Sequence, residues 1–538
     1  MTLQTKLFQN LCQMISDTNG IGLTDSLELL LRSPRKNSDT AIRSVVSSFL
    51  DRLYYTQRRG EDVVDLLDSP VAMALESFFK TFPLRYREEH IHLTGSLDAS
   101  FVYPRLASLL HSPQKHAAQE ILRNLFQITE LESEKEVERL LRLTPHDKFD
   151  RYLKILQLPA IVLTSKEDHY AAAWHIASRL YHQHNVGRVC LKYTWARARI
   201  HPDLPTVTSW DATLGLYEGF SAFKKEHPNF EFVLSPSFRK EAHYLTSAAT
   251  KEQDISQQIE SLLGFLKTYP ELTDVVKEVD TVGSEKDLYA KRHFHTMSEG
   301  FRKLQYQGFH IRSHHGETFR TLNKGIQAVD NAMNLWRIDT LEHGLSLGIN
   351  PHYYYHALYE RLLYKNENGE PLQRDGQDYD ELMDWSLSDI TIRDHLINGV
   401  PLKAHEKLAL TKTKFHYARE VESYQHDVLN RMIDKRVSLT ALPSSNKRLT
   451  HYFEGYQDHP FSWWEKKGVI LKVGTDNDVT LHTNMVREML ILLFSDPTHL
   501  KIHKLLRVVT GENRLPLVSH HLWTMKAKSS HPEKASID

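Results

Sequence analysis

Histidine is the residue this sequence uses in excess, 32 among 538 residues, against two cysteines. Imidazole is the commonest protein ligand for transition metals. Two imidazoles one residue apart on a strand point to the same side, so His-x-His pairs are the first place to look for chemistry. Three occur, His90/His92, His182/His184 and His293/His295, and about two are expected by chance at this histidine content. Spacing therefore selects none of them, and context must. The first pair lies in EEHIHLTGS, a strand-like run that ends in a glycine-bearing turn. The other two fall inside or at the end of helical patterns, where residues two apart diverge, and read as surface histidines. His314, His343 and Asp476 each end a further strand-like run. Imidazoles and a carboxylate around a divalent ion, with one position left for water, form a hydrolytic arrangement.

Those residues need a scaffold that brings strand ends together. Eight strand candidates follow one another: 88–96, 187–198, 229–237, 274–283, 309–317, 336–344, 437–445 and 468–478. Six of the seven gaps carry clear helical periodicity, as in DHYAAAWHIASRLYHQH and KDLYAKRHFHTMSEGFRKLQYQ. Eight strands joined by helical crossovers imply an α/β fold, a (β/α)8 TIM barrel, with its active site at the C-terminal ends of the strands. Residues 1–84 read as a helical N-terminal segment, in which Ser69 and Pro70 supply a cap and a first-turn proline. The barrel spans 85–495. Helical insertions after strands 1 and 6, at about 100–186 and 345–430, are long enough to roof its mouth. Residues 496–538 form a C-terminal helical and polar tail segment. The acidic, turn-rich stretch NENGEPLQRDGQDYDEL in the second insertion reads as a solvated loop.

Composition excludes several classes. With 67 Lys+Arg against 68 Asp+Glu, the chain has no general polyanion-binding character and no strong sign of nucleic-acid binding. Its start lacks a basic segment followed by an apolar core, and no apolar run approaches the length of a membrane span. Cys12 and Cys190 stand alone, which excludes a cysteine-based zinc cluster and fits a reducing compartment. The expectation is a cytoplasmic protein.

Six segments, in order, resemble the adenosine deaminase branch of the metal-dependent amidohydrolase barrels. They are EEHIHLTGS, YTWARARIHP, HHGE at 314–317, EHG at 342–344, LPSSN at 442–446 and HPFSWWEKKGVILKVGTDND at 459–478. The resemblance covers most of residues 85–495. It implies His90, His92, His314 and Asp476 as ligands of a Zn2+ ion. It also implies Glu317 as the proton donor to purine N1, and His343 as base and electrostatic partner for the attacking water. Gly283 would offer its backbone N–H to purine N3. Such a protein would be a zinc-dependent deaminase taking a small-molecule adenine nucleoside or 5′-nucleotide, ribo or deoxy, to the inosine form with release of ammonia. Ring attack of this kind needs a buried carboxylic acid to protonate the ring as it loses aromaticity.

Three departures from the family pattern bear on the substrate. Thr94 stands where an aspartate faces the ribose 5′-hydroxyl in nucleoside deaminases, and its neutral hydroxyl would tolerate a 5′-phosphate. Asn477 replaces the second aspartate of Thr-Asp-Asp and is expected to donate an amide N–H to purine N7. The two insertions exceed what a minimal nucleoside deaminase needs. An amidohydrolase acting on another amide or ester, and a deaminase-like component of an antiviral nucleotide-depleting assembly, are the alternative readings. A homo-oligomer or a defence-complex partner stays open.

Overall fold

The computed structural model describes residues 2–17, 21–32, 40–59, 62–145, 147, 149–196, 200–240, 248–387, 389–450, 452 and 455–512. Eight parallel strands pair in chain order: β1 (Tyr86–His92), β2 (Val186–Thr194), β3 (Glu231–Arg239), β4 (Glu278–Val282), β5 (His310–His315), β6 (Thr340–His343), β7 (Ser438–Ala441) and β8 (Leu471–Val473). Backbone hydrogen bonds from His92 N–H to Asp476 (2.8 Å) and from Asp476 N–H to His90 (2.9 Å) join the last strand's exit to the first. The fold is the (β/α)8 barrel read from the alternation.

Two residues make that closure. A Cβ at Gly474 would stand 2.7 Å from the Cβ of His90, so only glycine lets the chain leave β8 so close to β1. The buried Glu88 carboxyl accepts from His90 N–H (3.2 Å), Thr475 N–H (3.1 Å) and the Thr475 hydroxyl (2.8 Å). Burial pushes its pKa well up. The tie is therefore a buried carboxyl group stitching β1 to the segment that carries Asp476.

The strands end earlier than the sequence runs suggest, because the chain turns at the residues of interest. His343 (φ +65°) and Asp476 (φ +64°) sit in the left-handed region, as do Gly283 (+99°), Gly316 (+69°) and Gly344 (+60°). For a residue with a Cβ this conformation costs on the order of 1–3 kcal/mol and gathers at functional sites.

The helices cover the outside and much of the mouth. Between β1 and the crossover helix Lys166–Gln183 lie four more helices, Ala99–Leu110, Lys115–Phe126, Glu134–Leu141 and Phe149–Ala160. The second insertion holds Pro351–Glu367, Gln377–Asp384, Ile390–Asn398 and the 31-residue Ala404–Asp434. The acidic stretch is not simply a solvated loop. It runs into helix Gln377–Asp384, where Asp378 pairs with Arg361 (3.0 Å) and Lys365 (2.7 Å), and buried Glu381 accepts from Leu322 N–H (2.8 Å) and the Tyr354 hydroxyl (2.6 Å). Leu7, Leu11 and Phe49 of the N-terminal helices and Val509 near the C-terminus belong to one continuous core with the barrel helices. The sequence 526–538 of the polar tail lies outside the described residues. Among the described residues, no helix is long and apolar enough to cross a membrane.

Candidate active site

The barrel interior is ionic where many barrels are aliphatic. Lys192 of β2 is fully buried and reaches Asp280 of β4 (2.7 Å) and Glu342 of β6 (3.0 Å). Arg312 of β5 reaches the same Glu342 (2.5 Å) and Glu278 (2.8 Å), and donates to the carbonyl of Glu89 (2.8 Å). Charges removed from water need partners of opposite sign, and here each cation is shared between carboxylates. Burial alone would raise the carboxyls of Asp280 and Glu342. For Asp280, His314 and Lys192 reverse that, and for Glu342, Arg312 and Lys192 do, so both stay ionised.

These carboxylates turn upward to the histidines. His90 Nδ1–H donates to Glu342 (2.8 Å), and His314 Nδ1–H to Asp280 (3.1 Å). Each bond fixes a tautomer, leaving Nε2 as the lone-pair nitrogen. Those nitrogens converge: His90 and His92 Nε2 lie 3.1 Å apart, His92 and His314 Nε2 3.3 Å, and Asp476 Oδ1 lies 3.4 Å from His92 Nε2 and 3.7 Å from His90 Nε2. A tetrahedral ion with ligands at about 2.0–2.1 Å has ligand-to-ligand edges of about 3.4 Å. His90, His92 and Asp476 thus form one group of ligand atoms that could hold a divalent metal, and His314 joins it through His92. His314 and His343 also lie near His90 in a second grouping of ligand atoms.

Glu317 and His343 flank the cluster. His343 is buried and donates Nδ1–H to Asn446 Oδ1 (2.8 Å), so its Nε2 is the basic nitrogen, 3.6 Å from Glu317 Oε1. Burial, followed by the charge of His314, pushes the His343 pKa down to about 4. Burial pushes that of Glu317 up to about 7. At neutral pH one is an available base and the other keeps a large share of its proton. Glu317 is aimed from below: the Glu285 carboxylate accepts N–H bonds from Gly316 (2.9 Å), Glu317 (2.6 Å) and Thr318 (2.8 Å). Gly283, two residues before Glu285, supplies the left-handed turn that lets this loop leave β4.

The remaining predicted residues are placed less simply. Thr94 opens the turn Thr94–Ser96, half-buried, directly beyond His92. Asn477 is fully buried, and both its N–H bonds are engaged, to Asp476 Oδ1 and to the Tyr152 hydroxyl, each 2.6 Å. Its Oδ1 is turned against Gly95, where a Cβ would come within 1.7 Å. Asp478 is held by both terminal nitrogens of Arg179 (2.5 and 3.1 Å) and ties the crossover helix to the exit of β8. His315, on the opposite face of β5, donates to or accepts from Ser313 (2.8 Å) and packs on Phe294 and Trp336.

Asp280, Glu342, Lys192, Glu285, Asn446 and Tyr152 were not singled out from the sequence. Acidic and basic residues at alternate positions inside short strands, as in KEVDTV and LKYT, were the available signal for the ionic floor. Tyr152 lies in the first insertion and gives no such signal.

No family model matches the chain, and no curated protein matches it either. Among solved structures it is similar to an adenine deaminase from Arthrobacter aurescens, at 13% identity and TM-score 0.47 over 83% of this chain and 98% of that one. It is also similar to a zinc-bound amidohydrolase from Burkholderia ambifaria, at 13% and 0.45 over 85% and 94%. A third is the N6-methyl-AMP deaminase of Arabidopsis thaliana, at 12% and 0.48 over 85% and 98%.

Proposed function

We propose that this chain is a zinc-dependent hydrolase that deaminates an adenine nucleoside or 5′-nucleotide to the inosine form. One observation carries the reading. A His/Asp cluster able to hold a metal stands beside a carboxyl whose pKa is pushed up to about 7, and that carboxyl faces a buried histidine at 3.6 Å. Three imidazoles with one carboxylate suit zinc.

His90, His92, His314 and Asp476 would hold a divalent ion, which when bound would lower the pKa of a water toward neutrality. The chain's own groups do the rest. His343 Nε2 accepts a proton as the water oxygen bonds to C6 of the purine. Glu317 gives its proton to N1, so the ring electrons displaced by the attack rest on a neutral nitrogen. The C6–N6 bond then breaks with proton return to the leaving nitrogen. Water and the amine become the inosine-type lactam and ammonia. A hydrolase of simple amides or esters would leave Glu317 without a task. Thr94 places no carboxylate at the 5′ end, which favours accommodation of a phosphate. The basic residues near the rim in sequence that could receive a phosphate, Lys447 and Arg448 after strand 7 and Arg105 in the first insertion, are engaged elsewhere, Lys447 by Asp62 (3.0 Å), Arg448 by the carbonyls of Leu481 and Leu143, and Arg105 by the Phe101 carbonyl (3.1 Å). The case for a phosphorylated substrate therefore rests on Thr94.

The test is to incubate the purified, metal-loaded protein with adenosine, deoxyadenosine and their mono-, di- and triphosphates, and to follow loss of the adenine absorbance. Turnover of at least one is expected, with one zinc per chain by elemental analysis, and with both lost in His92→Ala. Inertness toward the whole set, or active protein without stoichiometric metal, overturns the reading.

A further inference from the structure

Tyr152 comes from outside the barrel, on helix Phe149–Ala160 of the first insertion. Its ring is packed with Leu143, Ile155, Leu449 and Leu481, a small apolar cluster separate from the main core. That cluster is pinned over the mouth by Leu143 N–H to the Thr480 carbonyl (2.9 Å) and by Arg448 to the Leu481 carbonyl (2.7 Å). The phenol oxygen is thereby held at Asn477, accepting its N–H at 2.6 Å. Among the described residues, nothing accepts the hydrogen of the Tyr152 hydroxyl itself. Asn477 cannot offer a donor in its place, because its two N–H bonds go to Asp476 and Tyr152. Burial, and then the charges of Asp476 and Glu317, push the phenol pKa well up, so it stays a donor. Both of those carboxyl groups flank the reacting centre.

Resting on the deaminase reading above, we propose that Tyr152 is a specificity residue whose O–H donates to N7 of the bound purine, with Asn477 as the residue that aims it. The placement follows from the ring itself. With N1 at Glu317, the edge beyond C6 is the one that carries N7. Set beside Asp476, that edge would meet Asn477 and the Tyr152 hydroxyl, which the Asn477 amide joins to Asp476 at 2.6 Å each. An uncharged O–H that cannot take up a proton from the ring suits a ring nitrogen acceptor. The first insertion would then be part of the substrate pocket, and the fit of its helix would decide which bases are accepted.

The experiment compares wild type with Tyr152→Phe, which removes one oxygen and keeps the ring packing, on adenosine and 7-deazaadenosine, or their nucleotides if those are the better substrates. The expected result is that wild type loses about 10-fold in kcat/KM on the 7-deaza compound, mainly through KM. Tyr152→Phe should lose a similar factor on the natural base, show no further loss on the 7-deaza base, and keep its zinc. If the variant discriminates between the two bases as wild type does, Tyr152 only packs, the proposal falls, and the deaminase reading stands. If wild type turns over neither base nor any other adenine compound, the deaminase reading fails and takes the proposal with it.

Discussion

The groups at the centre of this site are braced in two different ways. His90 and His314 rest on ionised carboxylates, Glu342 and Asp280, which share the buried ammonium of Lys192. His343 and Asp476 rest on neutral partners: Asn446 accepts from His343 (2.8 Å), while Ser445 (2.5 Å) and Asn477 (2.6 Å) donate to Asp476. The difference fits the roles proposed for these groups. An imidazole that binds a dication gains from an anion on its far nitrogen, which fixes the tautomer and strengthens the ligand. A histidine that must take and release a proton would be held protonated by such an anion. An amide oxygen orients it without adding charge. A metal-binding Asp476 would have to stay anionic, and donors from neutral groups favour that form.

Breaking the ionic side should have the largest effect on the fold. Lys192→Met leaves Asp280 and Glu342 buried without their shared cation, and should cost about 3–5 kcal/mol, read by urea denaturation of the metal-loaded protein. A loss below about 0.5 kcal/mol would show that the network carries little weight.

Next comes Glu317→Gln, which keeps shape and metal but supplies no acidic proton. Turnover should fall roughly 10²–10⁴-fold. The pH profile gives a second readout. In the proposed mechanism Glu317 acts protonated, so activity should be present below its pKa of about 7 and be lost as pH rises through it. His343 as the proposed base acts neutral, so activity should be present above its pKa of about 4 and be lost as pH falls through it. A bound dication lowers both limbs. The alkaline limb should be absent in the Gln variant, and its persistence would assign that limb to another group.

The smallest effect is expected on the neutral side. Asn446→Leu removes the acceptor that holds the His343 tautomer, and should lower kcat/KM about 10–100-fold. Zinc content and melting temperature should stay near wild type. A variant that instead loses its metal would place Asn446 with the metal-binding residues and erase the contrast.

The sequence by itself determined the strand order and the rim residues. His90 and His92 are two apart on a strand and so share a face, and strand-end motifs in chain order put His314, His343 and Asp476 at one mouth. Strand–helix alternation implied the barrel, since local periodicity encodes which faces are buried. Tertiary structure alone decided what those residues rest on. Lys192, Asp280, Arg312 and Glu342 meet only because β2, β4, β5 and β6 curve around one axis, and no spacing along the chain encodes that meeting. The left-handed turns at His343 and Asp476 likewise cut the strands shorter than their apolar pattern suggests. Asn477 shows the limit most clearly. Its amide is a plausible donor to a ligand in the sequence, but Tyr152, 325 positions away, takes that hydrogen bond in the fold. A side chain's free valences depend on its neighbours in space, and only the closed barrel with its roof supplies them.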